Sequence, residues 1–405
     1  MSHPLTRRLA LGGAFAAAIT VCAAACGSLE KDHASGQEAS EKPTRTPAAT
    51  TAAPDPPTVT VAGQSGDTIA FGAPVVLNSS AALRTIAVTD ASGHAVDGAF
   101  SAKHTSWSST GPIGPGVSWT WTATTPGGAV SHGTIASTAA TRTASAVGNI
   151  GPGVTVGVAA PIVVNFNTLV TDKAAVERQL QVLVRPNGSQ TWSPAAGSWA
   201  WLPDNAPNST VHFRTREYWP AYSEVRVIMP LAHLDWGGGV TGEQDFDWKF
   251  SIGRSQVVIA DARTHAIAIF RDGAHVATYP ASYGLDSDPR RVTRTGINIV
   301  TEKLQTIDMK SKVFHYSDIE HWAVRFNDDG QFIHANPATL AEQGHSNVSH
   351  GCINLSTENA KAYYPTAIYG DPVDVRGTSV LLDDTRTQLY DWALSWKQWT
   401  ALSAL

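Results

Sequence analysis

The sequence has few charges and no cluster of basic residues, which excludes one large class of function. Only 16% of its 405 residues are charged, and Lys and Arg nearly balance Asp and Glu at a net charge of −5. Binding to nucleic-acid phosphates requires clustered Lys and Arg side chains. We therefore expect no nucleic-acid partner.

Long apolar runs are also scarce, and the one that stands out lies at the amino terminus. Arg7 and Arg8 precede apolar residues 9–25, and small residues come directly before Cys26, a pattern typical of an export signal. The run 23–27 (AAACG) resembles a bacterial lipobox, in which the cysteine receives diacylglycerol. We expect residues 1–26 to be a lipoprotein signal peptide and the chain to be extracytoplasmic, anchored to the cell membrane through lipid on Cys26. A plain cleaved signal, an uncleaved anchor and twin-arginine export stay open.

Cysteine is rare, and its distribution is informative. Of three cysteines, Cys22 lies within the predicted signal and Cys26 at its end, which leaves Cys352 as the single thiol of the mature body. No intramolecular disulfide is then possible. In an oxidising compartment an unpaired thiol is a liability unless it is buried or reactive, and both interpretations of Cys352 stay open at this point.

The rest of the chain predicts a mainly β protein with several domains. Its length exceeds what one core usually supports, and short apolar runs alternate with turn signals. Residues 27–56, rich in Ala, Thr, Pro, Ser and charged residues, predict a disordered tether. We expect two immunoglobulin-like β-sandwich modules at 57–147 and 148–253, a denser β domain at 254–378, and a Trp-rich C-terminal segment at 379–405.

Two short helices and a packed tail complete the predicted architecture. One helix is expected within 173–180, and another from the N-cap Ser356 to the stop at Pro365. We expect the tail to pack on a neighbouring domain rather than form a ligand-binding aromatic box. The tryptophans concerned stand at helical spacing: Trp392, Trp396 and Trp399.

The segments 332–335 (FIHA) and 349–354 (SHGCIN) contain the residues of a thiol nucleophile. A catalytic cysteine needs a nearby imidazole or backbone donors to favour its thiolate. Both His334, on an apolar strand, and His350, two residues before Cys352, are candidates, and the sequence does not choose between them. Gly351 permits a backbone conformation in which adjacent N–H groups form an oxyanion hole, as acyl transfer requires.

Two other interpretations of these histidines compete with catalysis. An isolated histidine is more often a hydrogen-bonded core residue than a functional one. His334, His345, His350 and Cys352 could also supply metal ligands, but their spacing matches no familiar zinc pattern and no acidic partner stands nearby in the sequence. We therefore expect no metal, and we expect no organic cofactor because a thiol and an imidazole can supply the chemistry of acyl transfer.

The histidine, the spacing and Ser-His-Gly-Cys-x-Asn together resemble the signature of the L,D-transpeptidase catalytic domain family. The resemblance covers about residues 255–377. The two preceding modules and the tail look like the multidomain actinobacterial members. It implies that the third domain is a catalytic β-sandwich acting on peptidoglycan.

By this resemblance, Cys352 attacks the carbonyl of the third residue of a tetrapeptide donor stem and expels the terminal D-alanine. His334 is the implied general base and acid, oriented by the backbone carbonyl of Ala335. An acceptor stem then resolves the thioester into a 3→3 cross-link. His350 is expected to tune the thiolate or hold the loop, with Gly351 beside the nucleophile.

The resemblance also implies a substrate cleft and a class of inhibitor. Tyr316 resembles a tyrosine of the active-site lid, and acylation by carbapenems is implied. The implied substrate-binding residues are Tyr316, Asp329, Gly330, Ser349 and Asn354.

Three alternatives stay open. An L,D-carboxypeptidase of the same fold would pass the acyl group to water. An inactive wall-binding lipoprotein would keep the fold without the chemistry. A papain-like peptidase is less favoured, because there the cysteine precedes the histidine. For the two modules we favour spacing the catalytic domain from the membrane over binding glycans or partners.

Overall fold

The computed structural model describes residues 55–62, 68–383 and 388–405. The predicted signal peptide, with Cys26, and nearly all of the predicted tether lie outside these residues. Within the described part of the chain, no helix has the length and apolarity needed to cross a membrane.

The first module is a sandwich of two four-stranded sheets. Their orders are β1-β3-β6-β5 and β2-β8-β7-β4, and their inner faces share one core. In β7 strict alternation buries Trp119, Trp121 and Ala123 against that core, as the period of a half-buried strand requires. The strands are β1 (Val59–Val61), β2 (Thr68–Ile69), β3 (Val76–Ser79), β4 (Thr85–Asp90), β5 (Gly98–Phe100), β6 (Ser106–Ser109), β7 (Ser118–Thr124) and β8 (Val130–Ser137).

The second module is a larger sandwich, and its core begins before the predicted boundary at 147/148. Ala144 and Ala146 are buried in this second core, because the linker strand β9 already pairs with β18. The two sheets have the orders β10-β12-β16-β15 and β11-β19-β17-β13-β14. The elements are β9 (Arg142–Ala144), β10 (Ala146–Gly148), β11 (Thr155–Val156), β12 (Ile162–Phe166), α1 (Lys173–Glu177), β13 (Gln181–Arg185), β14 (Ser193–Pro194), β15 (Gly197–Trp201), β16 (Ser209–Thr215), β17 (Glu224–Met229), β18 (Val240–Gly242) and β19 (Phe246–Ile252).

The third domain packs a five-stranded sheet, β22-β21-β20-β28-β23, and a four-stranded sheet, β24-β25-β26-β27, around one core. The long hairpin β24–β25 forms one edge of the smaller sheet. The predicted second helix is confirmed, with Ser356 as its N-cap. The elements are β20 (Gln256–Asp261), β21 (Ala266–Arg271), β22 (Ala274–Pro280), β23 (Gly296–Ile299), β24 (Glu302–Ser311), β25 (Tyr316–Arg325), β26 (Phe332–Ala335), β27 (Ile353–Leu355), α2 (Thr357–Tyr363) and β28 (Pro372–Arg376).

The predicted fold class is therefore confirmed: two immunoglobulin-like sandwiches precede a catalytic-type β-sandwich with a short helix and a C-terminal tail. The tail differs in one respect. Its three tryptophans do not lie in one helix: Trp396 and Trp399 share α3 (Trp396–Thr400), which Ser395 starts with a capping box after the extended Leu394. Trp392 lies instead in a short 3-10 turn.

The expected packing of the tail on a neighbouring domain is confirmed. Trp399 is fully buried and its Nε1 donates to Ser198 O at 3.0 Å, while Trp392 Nε1 donates to Ala159 O at 2.8 Å. The catalytic-type domain also meets the second module directly. Gly157 N donates to Tyr369 O at 2.7 Å, in a contact so close that a Cβ on this glycine would lie 2.4 Å from the backbone of the third domain.

Candidate active site

Cys352 lies at the end of the loop that joins β26 to β27, directly before β27 begins. It is partly exposed and packs against a small apolar cluster that includes Met309, Ala323 and Phe332. Strands β26 and β27 run parallel, and their register sets His334 opposite Asn354. The loop therefore brings the thiol back beside the strand that carries His334.

His334 is almost completely buried in β26, with 3% of its surface exposed. Its Nδ1 lies 3.0 Å from the backbone oxygen of Ala335. Because a carbonyl oxygen can only accept, Nδ1 carries a proton in this contact, which leaves Nε2 as the ring nitrogen available to Cys352 in the pocket that both residues line. The carbonyl contact that the resemblance implied for Ala335 is present.

A carboxylate that the sequence did not single out also contacts this ring. Glu320 Oε2 lies 3.3 Å from His334 Nδ1, and only 15% of the Glu320 side chain is exposed. Glu320 belongs to no motif, and it stands fourteen residues before the histidine. Its proximity follows from the pairing of β25 with β26, which sets His321 opposite Ala335.

The charge state of His334 follows from opposing effects. Burial alone would lower the pKa of its imidazole, but hydrogen bonds to Cys352 and Glu320, together with their negative charges, raise that pKa to about 10. The ring is thus held as an imidazolium at neutral pH when the sulfur beside it is a thiolate.

His350 has a different environment, although it is closer to the cysteine in sequence. It is exposed at the cleft, with its ring centroid 4.6 Å from Phe314 and 5.3 Å from Tyr316. Desolvation and the positive charge of Arg291 lower the pKa of His350, so the ring is neutral at neutral pH. This histidine forms part of the cleft wall, and its contribution to thiolate formation stays a prediction.

Ser349 holds the loop around the nucleophile. Its hydroxyl donates to Cys352 O at 2.6 Å and accepts from Gly351 N at 3.1 Å. These bonds hold the loop that carries Cys352, and the substrate contact expected of Ser349, which lines the narrow pocket, stays a prediction. The Gly351 amide is therefore engaged within the protein, and an oxyanion hole that included it would require this bond to break.

Gly351 is needed for its conformation. Its φ is +116°, a region that side chains disfavour, and a Cβ there would lie 2.9 Å from Gln331 Nε2. The structure thus gives Gly351 a backbone conformation that a residue with a side chain would adopt only with strain.

Two adjoining pockets meet at Cys352. The wide pocket, of about 610 Å³, extends toward Asp329 and Gly330, and the narrow pocket, of about 320 Å³, extends toward His334 and Asn354. Residues that line both pockets are Met309, Phe314, Tyr316, His350 and Cys352. The nucleophile can thus be approached from two sides beneath the β24–β25 hairpin.

The predicted substrate-binding residues border these pockets. Tyr316 lines both, and burial followed by the charge of Cys352 raises the pKa of its phenol. Asp329 pairs with Arg294 at 3.0 Å in the wall of the wide pocket. Asn354 is 2% exposed and donates to Thr339 Oγ1 at 3.2 Å, while its Oδ1 has no partner among the described residues. Their contacts with substrate stay predictions.

The histidines and the cysteine do not gather as a metal site would require. Over residues 55–62, 68–383 and 388–405, no group of three or more His, Cys, Asp or Glu side chains is arranged to hold a metal ion. His345 is exposed and lines neither pocket at the nucleophile.

Comparison with known proteins identifies two families along the chain. Residues 66–235 match the bacterial Ig domain, and residues 255–375 match the L,D-transpeptidase catalytic domain. The chain is 43% identical to L,D-transpeptidase 5 of Mycobacterium tuberculosis over 329 residues, which cover 79% of this chain and 70% of that protein. It is 29% identical to L,D-transpeptidase 2 of the same species over 353 residues, which cover 83% of this chain and 82% of that protein.

Solved structures give similar matches over somewhat more than half of the chain. The LD transpeptidase LdtMt1, solved in complex with imipenem, is 31% identical to this chain, and the alignment covers 57% of this chain and 97% of LdtMt1 with a TM-score of 0.47. An L,D-transpeptidase from Mycobacterium smegmatis is 29% identical to this chain. The alignment covers 58% of this chain and 99% of the Mycobacterium smegmatis chain, with a TM-score of 0.45.

Proposed function

This chain belongs to the L,D-transpeptidase family, and from that premise we propose that it forms 3→3 cross-links in peptidoglycan through a thioester on Cys352. The observation that carries the proposal is the placement of Cys352 and His334 in one pocket, with the imidazole held by the Ala335 carbonyl and its pKa raised by the sulfur beside it. Such a pair supplies a nucleophile and a proton carrier without a cofactor.

In the first half-reaction His334 already holds the proton as an imidazolium, and the thiolate of Cys352 attacks the carbonyl carbon of the third donor residue. The tetrahedral intermediate collapses when the bond to the terminal D-alanine breaks, and His334 returns the proton to the leaving amine. A thioester on Cys352 and free D-alanine result. His334 is then neutral.

In the second half-reaction the amine of an acceptor stem attacks the thioester carbonyl. Acylation removes the negative sulfur beside His334, and the pKa of the ring therefore falls from its value in the free enzyme. The neutral ring takes the proton of the attacking amine, the new amide bond forms, and the sulfur leaves as a thiolate beside an imidazolium. The starting pair is restored.

Access to Cys352 from two sides supports transfer to an amine rather than to water. A donor stem could lie in one pocket while an acceptor enters through the other, so neither need leave before the second step. A carboxypeptidase would need room only for the donor and a water molecule.

Family membership also supports acylation by carbapenems. Attack of the Cys352 sulfur on the strained lactam carbonyl would open the ring, and the ring nitrogen would take the proton from His334. The product is a thioester that carries the whole mass of the drug.

Export and lipid anchoring are proposed on sequence alone. Diacylglycerol on Cys26 would hold the chain at the outer face of the membrane. The two immunoglobulin-like modules would then space the catalytic domain toward the cell wall. Globomycin treatment of cells that produce the full-length chain tests this proposal, since a lipobox-processed protein would accumulate as an unprocessed precursor.

The central experiment compares the full-length wild type with Cys352→Ala. Each is incubated with meropenem and its intact mass recorded, then each is offered a disaccharide-tetrapeptide. We expect a drug adduct, D-alanine release and dimer formation with the wild type alone. D-alanine release without dimer would identify a carboxypeptidase, and absence of any adduct or release would indicate an inactive wall-binding protein.

A further inference from the structure

We propose that Glu320 is a positioning residue of the active site, which holds the His334 imidazole through Nδ1 and favours its protonated form. Cys352, His334 and Glu320 would then act as a relay of nucleophile, proton carrier and carboxylate. The inference rests on the proposed function and assigns a role to a residue outside the His…Ser-His-Gly-Cys-x-Asn signature.

The geometry of β25 and β26 supports this role. The two strands are antiparallel and set His321 opposite Ala335, which brings Glu320 Oε2 to 3.3 Å from His334 Nδ1. Both side chains are largely withdrawn from water, with 15% of the glutamate and 4% of the histidine exposed. A carboxylate this close in such a site interacts much more strongly than a surface ion pair does.

Glu320 and Ala335 both contact Nδ1 of His334, but they have different effects on the ring. The Ala335 carbonyl, at 3.0 Å, is a neutral acceptor that selects the tautomer with a proton on Nδ1. The carboxylate at 3.3 Å adds a full negative charge, which stabilises the imidazolium over the neutral ring. Tautomer and charge are therefore controlled by different groups.

Other titratable groups near His334 are arranged differently. Cys352 is the second direct partner of the ring, and its negative charge is lost when the acyl-enzyme forms. Asp318, Tyr316 and His350 line the same narrow pocket, but none of them forms a hydrogen bond or ion pair with the ring among the described contacts. Glu320 is thus the carboxylate in contact with His334 that persists through both half-reactions, and it would keep the ring a strong base for the acceptor amine.

The test is the pH dependence of meropenem acylation, measured by intact mass from pH 5 to pH 11 on full-length protein. Glu320→Gln keeps the size and an amide oxygen but removes the charge. Asp318→Asn removes an equal charge two residues away on the same strand, without contact with the ring. Glu320→Asp restores the charge on a shorter side chain, and thermal unfolding checks the fold of each variant.

We expect the alkaline limb of the wild-type profile to lie near pH 10, where His334 loses its proton. Glu320→Gln should move that limb down by about one to two pH units, because an opposite charge within contact raises a pKa by that order. Asp318→Asn should move it distinctly less, and Glu320→Asp should recover most of the shift. A merely structural role for Glu320 would lower the rate at every pH without moving the limb.

Two outcomes would overturn the inference. One is an unchanged limb in Glu320→Gln, and the other is an equal shift in Asp318→Asn, which would assign the effect to net charge. If Glu320→Gln does not fold, Glu320→Ala takes its place, and an alkaline limb that stays at its wild-type position in that variant would likewise overturn the inference. Failure of the wild type to be acylated at all would instead refute the proposed function.

Discussion

The two histidines near Cys352, His334 and His350, were both candidates for its catalytic partner on sequence grounds, but they lie in opposite environments. His334 is buried, with Ala335, Glu320 and Cys352 as partners, and its pKa is raised to about 10. His350 stands at the cleft between two aromatic rings, and its pKa is lowered. The residue that is eighteen positions from the cysteine contacts it, whereas the residue two positions away lines the wall.

This difference shows that closeness to Cys352 along the chain does not indicate which histidine lies in position to exchange a proton with its sulfur. A strand in a sheet holds its side chain in one direction and supplies a backbone acceptor at a fixed place. A loop residue that packs on aromatic rings has neither constraint. The comparison predicts that substitutions at His334 slow acylation much more than substitutions at His350 do.

The largest effect is expected at His334. Gln in place of His334 cannot carry the proton, and we expect the rate of acylation to fall by about 10²- to 10⁴-fold, the usual contribution of general acid–base catalysis. Single-turnover mass spectrometry with meropenem measures it. A loss of less than tenfold, in a variant with wild-type thermal stability, would contradict the assignment of His334 as the proton carrier.

Gly351→Ala should be the next most severe change. Its φ of +116° and the 2.9 Å approach to Gln331 would force the loop to move, at a cost of about 1–3 kcal/mol. We expect a lower unfolding temperature and acylation at least tenfold slower. Gly330→Ala is the matched control, since its φ is also positive, at +81°, but no atom lies within 4 Å of the added Cβ. Equal losses in both variants would refute the steric explanation.

A smaller effect is expected for Ser349→Ala. The change removes the bond to Cys352 O and the acceptor for Gly351 N, each of which is worth about 1 kcal/mol. We expect acylation to slow by about tenfold through displacement of the nucleophile. Ser346→Ala, in the same loop, should have little effect. If Ser349→Ala raised only the KM for stem peptide and left acylation intact, Ser349 would be a substrate contact, as the sequence first suggested.

The smallest effect is expected for His350→Phe, which keeps an aromatic ring against Phe314 and Tyr316. Acylation should stay within about threefold of the wild type, since no proton transfer is lost. His350→Ala should do more harm by removing the packing, and should raise KM more than it lowers kcat. A loss in His350→Phe as large as that in His334→Gln would erase the contrast between the two histidines.

Much of the fold followed from local patterns. Strand β1, at Val59–Val61, is one of the short apolar runs from which a mainly β fold was expected, because such a pattern depends only on neighbouring residues. The second helix starts from Ser356, because an N-cap hydroxyl needs only the next turn to find its partner. The helical spacing of the tail tryptophans is realised only in part, since Trp396 and Trp399 share α3 whereas the extended Leu394 separates Trp392 from it.

The features of the candidate site likewise fall into those that the sequence predicts and those that depend on the tertiary structure. The sequence alone singled out Cys352 as the candidate nucleophile, because it is the sole thiol outside the predicted amino-terminal signal and stands in a specific motif. It also determined that Gly351 needs an unusual backbone conformation. Only the tertiary structure decided which histidine contacts the sulfur and that Glu320 contacts that histidine. The physical reason is that both contacts depend on the register of strands separated by loops, and pairing between distant strands brings together side chains that no local pattern connects.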